Sequence, residues 1–210
     1  MASAKRQPLL IFPCNGNGIE ALDCLGASYR LIGFVDDTSE KQGTKVQGYP
    51  VYGRDVLARQ PDACILAVPG SPTSYRMRKE IIESLGVTTD RFATLIHPSA
   101  TVSPLAELGH NVLIMAGVVV TSNAIIGGNV CVLPNTVIHH DVVVGAWSLI
   151  GSNATIAGHT AVGENCYIGS GSSVMNGLRV GDGALVGMGS NVIRDVAPGA
   201  RIVGNPAHPI

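Results

Sequence analysis

Aromatic rings and charges are both scarce in this chain. Only 4% of its 210 residues are aromatic and 14% are charged, where an average soluble domain carries about 25% charged residues. The 14 basic and 15 acidic side chains nearly cancel to a net charge of −1. That balance excludes the basic footprint of a nucleic-acid binder and the polybasic patch of a membrane-surface protein. No apolar run approaches the ~18 residues that read as a bilayer span, so no membrane insertion is expected. The opening MASAKRQPLLIFP has a positive start, but its apolar run breaks at Pro13 without a cleavage pattern. Cys14, Cys24, Cys64, Cys131 and Cys166 are odd in number and form no CxxC pair, which argues against a disulfide framework or a structural zinc site. Together these absences predict a reduced, cytoplasmic protein whose partner is a small molecule or another copy of the chain. Glycine, by contrast, is abundant, with 26 residues. Many glycines and few rings predict a narrow, regular core of aliphatic and very small side chains.

The periodicity changes near residue 100 and divides the chain into two expected domains, 1–99 and 100–210. In the first, LLIF (9–12), RLIGFV (30–35), ACILAV (63–68) and FATLI (92–96) read as strands. Between them IEALDCL (19–25), RDVLARQ (54–60) and SYRMRKEIIESL (74–85) read as helices. Strands alternating with helices predict a small parallel sheet in a Rossmann-like α/β domain, with ligands beyond the carboxyl ends of its strands. Those ends carry CNGNG (14–18) and VDD (35–37). Gly16 and Gly18 suit close approach of a phosphate and equally suit a bare tight turn. Asp36 and Asp37 fit a ligand contact or a solvated turn.

From residue 102 an aliphatic side chain falls at every sixth position, through Val102, Leu108, Ile114, Val120 and onward to Val192 without an insertion. Four residues after each comes a small or β-branched residue nearly every time, as at Ala124, Thr136, Ser148, Ala154, Thr160 and Ser172. A six-residue period with large and small residues alternating inward is the signature of an all-β solenoid. Glycine follows the inward aliphatic at Gly109, Gly127, Gly145, Gly163 and Gly181, eighteen residues apart, and again at Gly151, Gly169 and Gly187. Three hexapeptides per coil make a triangular prism of a little over five coils. Its recurring glycines suit either positive-φ turns or close backbone approach.

The [LIV]-G-x-x-[STAV]-x repeat resembles the hexapeptide acyltransferases, whose left-handed parallel β-helix binds an acyl-coenzyme A. The tail VGNPAHPI (203–210) is similar to that superfamily's ending. The front half, LIFPCNGNGIEALDCL followed by GFVDD and GYPVYG, resembles bacterial nucleotide-sugar acetyltransferases. That group N-acetylates UDP-linked 4-amino-4,6-dideoxy sugars or GDP-perosamine, and its relatives O-acetylate sialic acid. The chain departs from the group's pattern at Pro13-Cys14-Asn15-Gly16-Asn17. It also departs at Leu133, where the family carries Asn and where Asn135 is the substitute nearby, and at Leu149, where some members carry His.

Acetyl transfer to an amine needs a proton acceptor near neutral pH and donors facing the developing oxyanion. In TVIHHDVVVG (136–145), Ile138 is the inward residue, so neither His139 nor His140 belongs to the prism core. The family motif places the base at His140 and its orienting carboxylate at Asp141, with His139 a solvated bystander. The resemblance further implies acetyl-CoA as cosubstrate, no metal, and a homotrimer with each site between neighbouring prisms. Its coenzyme A contacts would fall near Gly158, His159, Ser170 and Met188, with Arg194 and Arg201 as phosphate partners. Gly16, Asp36, Asp37 and Asn135 would contact the nucleotide-linked amino sugar. Three alternatives stand beside this reading. One is a sialic acid O-acetyltransferase. Another is a trimeric zinc hydratase of γ-carbonic-anhydrase type using His110, His139 or His140, and His159. The third is a nucleotide-sugar-binding scaffold without catalysis.

Overall fold

The computed structural model describes residues 6–210. Strands β1 (Gln7–Phe12), β2 (Tyr29–Val35), β3 (Lys45–Val46), β4 (Tyr49–Tyr52) and β5 (Cys64–Ala67) form one sheet in the order β3-β4-β2-β1-β5. All neighbours are parallel except the β3–β4 hairpin. The helices are short: α1 (Gly16–Glu20), α2 (Val56–Arg59) and α3 (Arg78–Glu83), with 3-10 turns at Ala21–Cys24 and Tyr75–Met77. Asn15 caps α1 by accepting the Gly18 amide at 2.9 Å.

FATLI does not complete this sheet as expected. Phe92 makes a single bridge to Ile65, and Leu95–Ile96 pairs instead with Leu113–Ile114 in the prism. The reason lies in the register, because Ile96 sits one period before Val102 and already belongs to the six-residue series.

Beyond it the chain winds as a parallel β-helix of two-residue strands, each paired with the strand eighteen residues on. Val119 faces Val137, which faces Thr155 and then Ser173. Three sheets result. The first runs from Leu95–Ile96 through Leu185–Val186 to the tail hairpin Arg201–Gly204 and Ala207–Pro209; the second from Thr101–Val102 to Asn191–Val192; the third from Glu107–Leu108 to Arg179–Val180. The sixth-position aliphatics from Ile114 to Val192 are all buried. Hydroxyls at the small inward positions are satisfied by the next coil: Thr136 donates to the Gly151 carbonyl at 2.7 Å and Ser172 to that of Gly187 at 2.8 Å.

Two of the three prism edges, those flanking the first face, solve two backbone problems with different residues. Positive φ falls three residues after the inward aliphatic, at every corner from Asn111 to Gly189, and is met by Asn or Gly with three exceptions: Asp141, Trp147 and His159. The glycine directly after the aliphatic serves close approach instead: a Cβ on Gly127 would lie 2.7 Å from the Ala146 nitrogen.

The N-terminal domain covers the first face only. The outward residues of that face, Leu95, Leu113, Cys131, Leu149 and Tyr167, are buried with Leu9, Ile11, Leu66 and Tyr75 in one core, each large side chain contributing about 1.5–3 kcal/mol. The edge between the third and first faces is the polar seam. Asn111 accepts the Ala67 amide at 2.7 Å and donates to the Ala67 carbonyl at 2.9 Å, pairing with β5 as a strand would. The fully buried Arg78 guanidinium donates to the carbonyls of Asn129 (2.6 Å), Trp147 (2.8 Å) and Pro69. Asn165 donates to the Arg76 carbonyl at 2.8 Å, and Tyr75 Oη donates to that of Gly183 at 2.9 Å.

Removing Arg78 leaves three carbonyls without their donor. Arg78→Ala is therefore expected to lower the unfolding free energy by about 3–5 kcal/mol, read by urea titration of the fluorescence of Trp147, the single tryptophan. On the same assay Gly127→Ala should cost about 1–3 kcal/mol through overpacking, whereas Asn153→Gly, at a left-handed corner, should cost less than about 1 kcal/mol.

Candidate active site

The edge opposite the N-terminal domain, between the second and third faces, carries the predicted pair. His140 and Asp141 occupy the corner after Val137–Ile138. Asp141 turns in the left-handed region at φ 57°, which swings its carboxylate back beside the preceding imidazole. His140 Nδ1 lies 2.8 Å from Asp141 Oδ2. With Nδ1 donating to the carboxylate, Nε2 keeps its lone pair, and at 53% side-chain exposure the ring is open to an incoming group. The ring rests on Gly158 one coil above: a Cβ there would lie 2.7 Å from both Cε1 and Nε2. Any larger residue at 158 would displace the imidazole.

Two neighbours close round the carboxylate. Asn123 Nδ2 donates to Asp141 Oδ1 at 3.1 Å, and His159 Nδ1 lies 3.8 Å from Oδ2. The His159 ring meets His140 edge to face with centroids 5.0 Å apart. The hydrogen bond from His140, then that from Asn123, holds the Asp141 carboxyl below its usual range. Asp141 therefore remains ionised through neutral pH.

The other predicted residues are distributed over the prism. Gly158 is buried beside the His140 ring, and its amide N–H has no acceptor among the described residues. Ser170 and Met188 stand on the edge between the first and second faces, Met188 at 71% exposure. Asn135 is on that edge too, its amide lying against Gly117. Arg194 lines a cavity of about 370 Å³ with Ile193, Asn205 and Pro206. Ile193 and Asn205 also border an adjoining cavity of about 380 Å³ on the second face, with Thr155, Ala157 and Met175. Arg201 is separate from these, lining a 260 Å³ crevice on the first face with Tyr75 and Arg76. Leu133 and Leu149 both pack into the core beneath the N-terminal domain.

Within that domain Asp36 and Asp37 line a cavity of about 320 Å³ with Asn15, Thr38, Lys41 and Pro69. Asp36 is buried and engaged by its own chain, accepting the amides of Cys14 (3.0 Å) and Thr38 (2.9 Å) and the Lys41 ammonium (2.9 Å). Burial pushes its carboxyl up, but the bonds from Thr38 and Lys41 outweigh burial and hold it below the usual range. Asp37 forms a two-pronged pair with Arg54, at 2.6 and 2.8 Å. Gly16 is exposed at the start of α1, whereas Gly18 packs under the strand, where a Cβ would lie 3.2 Å from Ile11 Cγ2.

Sequence reasoning missed Asn123, Lys41 and Arg54. Asn123 was findable, since it lies eighteen residues before Asp141 and stacking one coil on the next sets such residues face to face. Lys41 and Arg54 had no periodic signal. Of the three imidazoles a zinc hydratase would need, His140 and His159 come together in one chain, while His110 lies on another edge against Phe92, with ring centroids 6.0 Å apart.

Residues 123–158 match the family described as bacterial transferase hexapeptide (six repeats), and 159–193 match the hexapeptide repeat of succinyl-transferase. The acetyltransferase domain of PglB from Neisseria gonorrhoeae is 32% identical, with a TM-score of 0.84 over 98% of this chain and 100% of that one. That domain has also been solved with acetyl coenzyme A. PerB from Caulobacter crescentus, solved with CoA and GDP-perosamine, is 27% identical with a TM-score of 0.84, covering 99% of this chain and 98% of that one. Variants of the Caulobacter enzyme with a histidine replaced by asparagine or alanine have the same fold. UDP-N-acetylbacillosamine N-acetyltransferase of Bacillus subtilis is 35% identical over 105 residues, which is 49% of this chain and 47% of that protein. The chain thus matches about half the length of this curated relative. On the full-length likeness to the Neisseria domain, the chain belongs to the nucleotide-sugar N-acetyltransferases of the hexapeptide-repeat acyltransferase superfamily.

Proposed function

We propose that the chain transfers acetyl from acetyl-CoA to the amino group of a UDP- or GDP-linked 4-amino-4,6-dideoxy sugar, with His140 as general base. The observation that carries this reading is the 2.8 Å bond from His140 Nδ1 to Asp141, which leaves Nε2 as the proton acceptor. The sugar nitrogen attacks the thioester carbonyl carbon and forms the C–N bond. Its proton passes to Nε2, the tetrahedral intermediate expels the thiolate, and the imidazolium returns the proton to give free CoA. The unengaged Gly158 amide faces the developing oxyanion. No covalent acyl-enzyme is required, since the thioester is already activated.

Coenzyme A lies along the coils above His140, with contacts at Gly158, His159, Ser170 and Met188 and its phosphates toward Arg194 and Arg201. The N-terminal domain, Rossmann-like in this reading, takes the nucleotide sugar through Gly16, Asp36 and Asp37, with Asn135 on the neighbouring edge. Because that domain sits on the face opposite the His140 edge, one chain does not bring the two halves of the site together. A homotrimer of left-handed prisms does, the base of one subunit meeting the sugar held by the next. The protein works in the cytoplasm, beside its acetyl-CoA.

A panel of nucleotide-linked amino sugars with acetyl-CoA, followed by thiol release, tests the reading. Transfer should fall about 10²–10⁴-fold in His140→Asn and stay within about threefold of the parent in His139→Asn. The opposite order would reverse the assignment of the two histidines, and transfer only to a hydroxyl acceptor would favour the sialic acid reading. Stoichiometric zinc in the purified protein would overturn the base mechanism, and no transfer to any acceptor would leave a binding scaffold.

The pH profile gives a second test. Asp141 is held below the usual carboxylate range, so its protonation takes no part in activity near neutral pH. Asp141→Asn removes the carboxylate that orients the ring, and its kcat should drop about 10²–10³-fold throughout the neutral range, where the parent carboxylate is ionised.

A further inference from the structure

We infer that Asn123 and His159 are positioning residues for the His140 base, clasping Asp141 from the coils below and above. This inference rests on the proposed function. Residues 123, 141 and 159 are the same left-handed corner on three successive coils, with φ 60°, 57° and 60°. Elsewhere that corner is an Asn or Gly, which adopt the conformation most easily. Trp147 departs from the rule because its carbonyl accepts Arg78 and its ring packs under the N-terminal domain. The other two departures, Asp141 and His159, are stacked on the single edge that carries the base. A histidine in this backbone region is strained, and here its ring is held edge-on to His140 at 5.0 Å with Nδ1 3.8 Å from Asp141. Asn123 fixes the remaining carboxylate oxygen at 3.1 Å.

The column divides two tasks. Asn123 sets the rotation of the carboxylate, and hence the aim of the imidazole. His159 packs edge-on against the His140 ring, its Nδ1 3.8 Å from the same carboxylate oxygen, and limits the swing of the imidazole. The titratable groups facing the His140 ring are Asp141 from its own corner and His159 from above; Gly158 and Asn123 are neutral.

His159→Asn restores the ordinary corner residue and removes the second imidazole. By NMR its His140 ring-proton signals should move away from their parent positions on loss of the edge-on ring, and kcat should fall about tenfold as the imidazole loses its fixed aim. Asn123→Gly keeps the corner and removes the amide. Its kcat should fall about tenfold with KM for acetyl-CoA unchanged, whereas Asn153→Gly, the same exchange at another edge, should leave kcat at the parent value.

The proposal is overturned if the His140 ring signals and kcat of His159→Asn coincide with the parent, or if Asn123→Gly loses no more activity than Asn153→Gly. The ring signals are read without substrate. If they move while the parent transfers no acetyl group, the proposed function fails and the column stands.

Discussion

Each coil of this prism closes only if the backbone passes through a left-handed conformation once in every six residues. That requirement costs most residues about 1–2 kcal/mol and asparagine or glycine much less, so the corners are written in those two residues. Close approach of successive coils adds a second demand, met by the glycine two positions earlier. Between them the two demands account for half of the glycine in the chain, and a triangular core one strand wide has no room for rings.

The three edges share this backbone but divide the work. The edge between third and first faces spends its corner residues on the N-terminal domain: Asn111 on β5, Trp147 and Asn129 on Arg78, Asn165 on Arg76. The edge between second and third faces spends them on Asn123, Asp141 and His159. Local irregularity therefore marks attachment on one edge and the candidate site on the other. The outward positions follow the same division, apolar on the first face, where Leu113 and Leu149 are covered, and exposed on the third, where Val143 and Ile125 face outward.

The prism was legible because its signal is repeated. Sixteen aliphatics in phase gave the faces, and the phase placed His139 and His140 outside the core before any contact was known. The start of the prism was misplaced because Leu95–Ile96 reads as well for a strand of either domain, and only pairing with Leu113–Ile114 decides. Of the two readings open for the glycines after the aliphatic, close approach is the one found, the positive φ being carried two residues later by asparagine or another glycine, a distinction that composition does not encode. The N-terminal cavity was the least legible part. Asp36 and Asp37 fitted a ligand contact or a solvated turn in the sequence, whereas Lys41 and Arg54, which carry no periodic signal, engage them. Nothing local announced those partners.

Stacked coils repeat at the spacing of adjacent strands, about 4.8 Å. Groups along the His140 edge are therefore spaced in whole steps of that length, and a ligand extended beside them meets the chain as against a graduated scale. Inserting or deleting one residue in a coil would disturb the corners at once, but adding a complete eighteen-residue coil would lengthen the scale by one division and leave every face in phase. Such a fold can change the reach of its groove without redesigning the corner that holds the imidazole.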